Sequence, residues 1–221
     1  MMKIQQLLEA GVHLGHQAKR WNPKMLPYLY TQRMGIHIID LVQTAHLLNQ
    51  ACETLTVQVS EGKRVLFVGT KPQASVVVEE EATRCGEFFI NQRWLGGLLT
   101  NWTTVQSRLK RWRELLEADM DHLTKKEASA LRRELNQLNR QMRGIQNMDQ
   151  IPDIVIVVDP NKENTAVLEC HKLGILTIGI VDTNADPESV DLAIPANDDA
   201  IASLQLILSC LADAILKGKS I

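Results

Sequence analysis

Pro152-Asp-Ile-Val-Ile-Val-Val-Asp159 carries five consecutive apolar residues, Ile154 to Val158, between two aspartates. A strand with one wet face alternates apolar and polar side chains; an unbroken run this short predicts a strand covered on both faces, as in the centre of a parallel sheet. The flanks agree with that reading. Downstream come a helix over about 162–173, a strand over Leu176–Val181, the loop Asp182-Thr-Asn-Ala-Asp-Pro187 and a short strand at Leu192–Ile194. A last helix then carries Ile201, Leu204, Leu208, Leu211 and Ile215 at three-four spacing, with Asn197 as its N-cap and Asp198 and Asp199 in its first turn. Upstream, Lys63–Val68 is a short apolar run ending at Gly69-Thr-Lys-Pro72, followed by a helix to about Cys85 and a strand at Phe88–Ile90. Before these, Gly35–Asp40 reads as a strand and Val42–Val59 as a helix on the spacing of Leu48, Cys52, Leu55 and Val59. Strand and helix in alternation predict an α/β parallel sheet flanked by helices.

One stretch breaks the alternation. Asn91-Gln-Arg-Trp-Leu-Gly-Gly-Leu-Leu-Thr-Asn-Trp102 leads out of the sheet, and Gly96-Gly97 allow a sharp redirection. Beyond it Trp102, Val105, Leu109, Trp112 and Leu116 form one helical seam, and Leu131, Leu135, Leu138, Met142 and Ile145 a second. Two seams separated by Asp119–Leu123 predict an antiparallel coiled-coil hairpin, its second arm started by a Thr124/Glu127 capping box. The α/β domain is therefore discontinuous, residues 1–100 and 146–221, with the hairpin at 101–145 inserted. At the amino end, a short helix near Ile4–Ala10 leads to a loop in which Lys19, Arg20 and Lys24 surround Trp21, and Pro23 and Pro27 prevent a continuous helix.

The net charge of −2 hides a polarity. Residues 1–144 hold 20 Lys and Arg against 14 Asp and Glu, whereas residues 145–221 hold 4 against 12. A chain polarised in this way can present one side to phosphates. Arg93, Trp94, Asn101 and Trp102 supply guanidinium, indole and amide groups suited to phosphates and stacked bases, and the indoles are equally suited to packing under the bend. The four cysteines are far apart and read as small buried residues of a reducing compartment. No apolar run approaches the ~18 residues of a membrane span. The amino terminus has neither an apolar signal core nor a transit pattern, so the chain is expected to work where it is made.

Ligands of parallel α/β sheets bind beyond the carboxyl ends of the strands. Those loops contain Gly69-Thr70-Lys71, Asp159, Asp182 and Asn197-Asp198-Asp199, but no complete phosphate loop and no nucleophile with a base at a supporting spacing. Asp159, Asp182 and Asp198 can share a divalent ion, with His16 as a further ligand. Each aspartate equally suits a turn or a helix cap, and His13-x-x-His16 equally suits two ordinary histidines. The expectation is no catalytic residue, no metal site and no cofactor. The alternative function is a small-molecule or metal-binding module that uses these aspartate loops.

Ala10-Gly-Val-His-Leu-Gly-His-Gln17, Arg20-Trp-Asn-Pro-Lys-Met25, Gly35-Ile-His-Ile-Ile-Asp40, Phe67-Val-Gly-Thr-Lys71, Asn91–Trp102, Val181-Asp-Thr-Asn184 and Ile194-Pro-Ala-Asn-Asp-Asp-Ala200 together resemble, nearly end to end, the family of the second protein of the small ribosomal subunit, bacterial and organellar type. The resemblance implies a flavodoxin-like parallel sheet with an inserted coiled-coil hairpin. It implies a structural, non-enzymatic component of the small subunit between head and body, neither membrane-bound nor a homo-oligomer. Its implied partners are small-subunit rRNA, neighbouring ribosomal proteins and, through the hairpin, the mRNA-binding ribosomal protein with repeated OB domains. On that basis Lys19, Arg20, Trp21, Asn22, Lys24, Arg33, Arg93, Trp94, Asn101, Trp102, Arg108, Lys110 and Arg111 are expected at the rRNA.

Three departures from the family pattern stand out. Leu176 replaces a usual proline, Arg143 replaces the first of two glycines at the end of the hairpin, and an acidic tail after the last helix is lacking. The first is expected to loosen a strand start and the second to alter a turn. Ile194–Ser203 resembles plastid and cyanobacterial members, which implies a ribosome-bound place in the plastid stroma, with a cyanobacterial cytoplasm as the alternative.

Overall fold

The structure is a computed structural model and describes residues 3–118 and 125–221. Five parallel strands make the main sheet: β4 (Val65–Val68), β5 (Phe88–Ile90), β6 (Ile154–Val158), β7 (Leu176–Val181) and β8 (Leu192–Pro195). Their order is β5-β4-β6-β7-β8, which counted within the sheet is 2-1-3-4-5, and β6 is central and wholly buried. Alternate residues face opposite ways. Val65, Phe67, Ile154, Ile156, Val158, Ile178 and Ile180 enter one core with α2 (Leu41–Ser60), α3 (Pro72–Cys85) and α7 (Ile201–Lys219). Leu66, Val68, Val155, Val157 and Val181 enter the other with α6 (Asn164–Leu173) and the Asn91–Trp102 bend. By length and composition α7 is apolar enough to cross a membrane, but Leu204, Ile207, Leu208, Leu211 and Ile215 spend that apolarity on the core. Gly218 lets α7 close on α2, since a Cβ there would lie 2.7 Å from the Thr56 carbonyl oxygen.

Gly35–Asp40 does contain a strand, but not one of the parallel sheet. Preceded by α1 (Ile4–Glu9), β1 (Leu14–Gln17), β2 (Leu29–Arg33) and β3 (Ile36–Ile39) form a separate antiparallel sheet in the order β1-β3-β2. β1 and β2 escaped the sequence reading because histidine, glutamine and tyrosine on mostly exposed positions give no apolar alternation. The basic stretch after β1 is a turn followed by a 3-10 helix, Pro23–Tyr28.

The excursion between β5 and β6 is α4 (Trp102–Glu117) followed by α5 (Lys125–Met142), so it is the β5-to-β6 crossover drawn outward. Val105, Leu109, Met142 and Ile145 root it in the second core. The seam on α4 ends differently from the three-four expectation: Leu115 is buried and Leu116 is 56% exposed. Thr124 of the expected capping box and the 119–123 connection lie outside the described residues. Of the glycine pair, Gly97 alone takes a left-handed φ, 83°.

Two of the positions singled out as departures make defined contacts. Leu176 N donates to the Asp153 carbonyl at 3.2 Å, a bond that proline cannot make. Arg143 pairs with Glu79 and lies over the Phe89 ring, while Gly144 leaves space for Phe89, whose carbonyl oxygen would stand 2.1 Å from a Cβ. Asn197 is not the N-cap of α7. The helix starts from Ala200, and the Asn197 side chain instead accepts from Asp199 N (2.8 Å) and Ala200 N (3.0 Å), so Asp198 and Asp199 precede the helix.

Candidate nucleic-acid interface

Glu169, on α6, builds the bend. Its carboxylate accepts from Trp94 Nε1 (3.0 Å), Gly97 N (2.8 Å), Leu99 N (3.0 Å), and Thr100 N and Oγ1 (3.1 and 3.2 Å). Burial alone would raise this carboxyl, but the Trp94 indole and the backbone donors of Thr100, Gly97 and Leu99 outweigh it and hold the group below the ordinary glutamate range. Trp94 is accordingly 8% exposed and packed in the second core, the packing alternative of the two that the sequence left open. Trp102 is half-buried with an indole N–H that finds no partner among the described residues. Asn101, just ahead of α4, is exposed and accepts from Thr104 Oγ1 at 2.9 Å.

The expected cations divide into paired and unpaired groups. Lys24 is held between Asp186 (2.7 Å) and Glu188 (2.6 Å), which raise its ammonium pKa, and it fastens the 3-10 helix to the loop after β7. Arg111 forks onto Glu134 at 3.1 Å and also approaches Glu114. Both are thus engaged by carboxylates of the chain itself. Asn22 is structural too: its side chain accepts from Lys24 N at 3.0 Å and its N–H donates to Thr183 O at 2.8 Å. Trp21 is half-buried against the His37 ring, 5.0 Å between centroids. By contrast, Lys19, Arg20, Arg33, Arg93, Arg108 and Lys110 are exposed and form no ion pair among the described residues.

Arg93 has company that was not singled out from sequence. A groove between the bend and α5 is lined by Gln92, Arg93, Arg133, Asn136, Gln137, Asn139, Arg140 and Gln141, with no carboxylate among them. Arg133, Asn136, Gln137 and Arg140 lie three to four residues apart and so share one face of α5. Three guanidiniums amid neutral amides can take anionic oxygens while the amides take sugar hydroxyls. The signal was present as the R-x-x-N-Q-x-x-R spacing, but its partner Arg93 is joined to it only by the fold.

The carboxyl ends of β4 and β6, where the strand order reverses, form the ligand crevice of such sheets. Here Lys71 enters it and bonds Asp159 (2.8 Å), Asp198 (2.7 Å) and Asp199 (3.1 Å). Thr70 bonds Glu163, and Asp159 itself has a left-handed φ of 59°. His16, on β1, lies 3.1 Å from Asp182 and 3.3 Å from Asp199, and the Asp182 hydrogen bond raises its pKa despite burial. Burial beside Asp182 and Asp159 drives the Asp198 carboxyl upward, to about 7, against the pull of Lys71. The crevice is thus filled by the chain's own Lys71 and His16 side chains, and it seats β1: His16 N donates to Thr183 Oγ1 at 2.9 Å, and a Cβ on Gly15 would lie 2.4 Å from Thr183 Cγ2.

Residues 7–218 match the family described as ribosomal protein S2. The chain is 57% identical over 223 residues to the small ribosomal subunit protein uS2c of Porphyra purpurea, covering 99% of this chain and 92% of that one. It is 57% identical to the uS2c of Emiliania huxleyi, covering 99% and 97%. To the small ribosomal subunit protein uS2 of Thermosynechococcus vestitus it is 54% identical, covering 99% and 85%.

Proposed function

This chain belongs to the ribosomal protein S2 family and is a non-enzymatic structural constituent of the small ribosomal subunit, and from that premise we propose that it holds rRNA through the unpaired cations of its two appendages. One appendage is the antiparallel sheet with Lys19, Arg20 and Arg33. The other is the bend and the α4–α5 crossover, with Arg93, Arg133 and Arg140 in the groove and Arg108 and Lys110 on α4. The observation that carries this reading is that these exposed cations lack carboxylate partners among the described residues, whereas Lys24 and Arg111 have them. Charges of this kind fix the position of a protein on RNA without reading its sequence, as a structural component requires. Trp21 and Trp102, each half-buried, keep an edge for a base or ribose, and Asn101 its amide.

The finer reading of the excursion is an antiparallel coiled-coil hairpin over 101–145 inserted into a flavodoxin-like domain, supported by the 2-1-3-4-5 strand order and by Trp112 and Leu115 facing inward. Its exposed Leu116 suits a protein neighbour, the OB-repeat mRNA-binding protein among them, at the junction of head and body. Among ribosomes, those of a plastid are the proposed home.

The test is binding of the full chain to its rRNA site as salt is varied. The logarithm of affinity falls with the logarithm of salt in proportion to the phosphates neutralised. Arg93→Gln, Arg133→Gln and Arg140→Gln should each lower the slope by about one for every phosphate no longer neutralised. Unchanged slopes in all three would overturn the groove as an rRNA-binding surface.

A further inference from the structure

We propose that the tip of the β2–β3 hairpin is an apolar contact site for an unstacked base of rRNA, with Met34 against the face of the base and Lys19, Arg20 and Arg33 on the flanking phosphates. The last pair of the hairpin is Arg33 with Ile36, so Met34-Gly35 is a two-residue turn. Both of its φ angles are positive, 49° at Met34 and 77° at Gly35, the pattern of a type I′ turn. Glycine takes that conformation freely and asparagine takes it with little strain; a long apolar side chain does not. Met34 is nonetheless 90% exposed, more than any other large apolar side chain among the described residues, so packing within the chain does not offset the strain.

Left-handed residues other than glycine concentrate where a contact uses the strain, and the surroundings of Met34 indicate which contact. Residues 10–39 hold Lys19, Arg20, Lys24 and Arg33 and no Asp or Glu. Ala18 N donates to the Gly35 carbonyl at 2.9 Å, which ties the turn that carries Lys19 and Arg20 to the hairpin tip. Those two cations and Arg33 are exposed and form no ion pair among the described residues. A Cβ built on Gly35 would meet nothing within 4 Å, so the tip is open to a broad partner. A neighbour recognised by its apolar surface has no use for three open cations around a single thioether. A polyanion whose bases have flat apolar faces fits both features.

Methionine suits that task. Its unbranched, polarisable thioether adapts to an aromatic face, and apolar side chains of similar size wedge against bases that have left their stack. The cations supply the salt-dependent part of the affinity and Met34 a part that salt leaves alone. The site rests on the rRNA reading above and adds an uncharged contact to it.

The test measures binding of the full chain to small-subunit rRNA across salt concentrations, beside thermal unfolding of the chain alone. Met34→Asn should raise the melting temperature by about 2–4 °C as the turn relaxes. It should also weaken rRNA binding about 3–10-fold and leave the salt slope unchanged, because no charge is removed. Met34→Leu should keep most of the affinity. A gain in stability joined to a loss of binding is a result that a purely structural turn residue does not give. Arg33→Gln should instead lower the slope by about one. A photo-reactive methionine at position 34 should cross-link to rRNA in intact small subunits. Wild-type affinity in Met34→Asn, or a cross-link from position 34 to a protein neighbour alone, would overturn the tip site. If Arg33→Gln still lowers the slope, the rRNA reading survives that failure; an unchanged slope there would remove the rRNA reading of this appendage as well.

Discussion

Glu169 shows how one buried carboxylate can organise a surface. It collects an indole N–H, three backbone N–H groups and a hydroxyl from the bend, and so orients the segment that presents Arg93. Hydrogen bonds to a charged acceptor are worth about 1.5–3 kcal/mol each before context is counted. Glu169→Gln turns an amide N–H₂ toward those donors and should lower stability by about 2–4 kcal/mol, read as a shift of the urea midpoint with an unchanged slope. The pH sign follows from the depressed carboxyl. Its contribution is complete above the ordinary glutamate range and is lost as pH falls through the lower folded value, so the wild type should weaken in acid more steeply than Glu169→Gln. Lys71 is the opposite case, a half-buried cation among carboxylates. Lys71→Met leaves Asp159, Asp198 and Asp199 facing one another and should cost about 3–5 kcal/mol. Adding Asp198→Asn should recover part of that loss, a coupling that a double-mutant cycle measures.

At the scale of elements, the parallel sheet was legible because buried strands write short, mostly apolar runs: Ile154–Val158 without a break, Leu176–Val181 with Thr177 and Gly179 inside it, and Phe88–Ile90. The antiparallel sheet was not, because β2 is exposed along nearly its whole length and its pairing with β3 is carried by the backbone. The phase of the α4 seam turned on adjacent leucines that periodicity cannot separate. The fold buries Leu115 and leaves Leu116 exposed. Leu115→Ala should therefore cost about 2–4 kcal/mol, whereas Leu116→Ala should stay within about 0.5 kcal/mol; equal losses in thermal unfolding would return the seam to the three-four register. Gly144→Ala probes the return of the crossover to the sheet. With the Phe89 carbonyl in the way, it should cost about 1–3 kcal/mol.

Across the whole molecule, the polarity of charge was legible as sums, but its meaning was not. Only the fold separates cations committed to the chain's own acids, such as Lys24, Arg111 and Lys71, from those left open, such as Lys19, Arg20 and Arg93. The same holds for the indoles, since composition cannot tell Trp94, sealed by Glu169, from Trp102 at the edge. It holds too for the aspartates, which the sequence spreads from residue 159 to residue 199 and the fold gathers around one lysine and one histidine. The rRNA reading proposed above thus sets an acid-rich body, whose acids bind Lys71 and Lys24, against appendages on which Lys19, Arg20 and Arg93 stay open.

Residue-resolved RNA–protein cross-linking within intact small subunits tests that division most directly. Cross-links concentrated at Lys19, Arg20, Arg33, Arg93 and the 108–140 segment, with Lys24 and Arg111 largely silent, are the predicted pattern. A majority falling within residues 145–221 would contradict it.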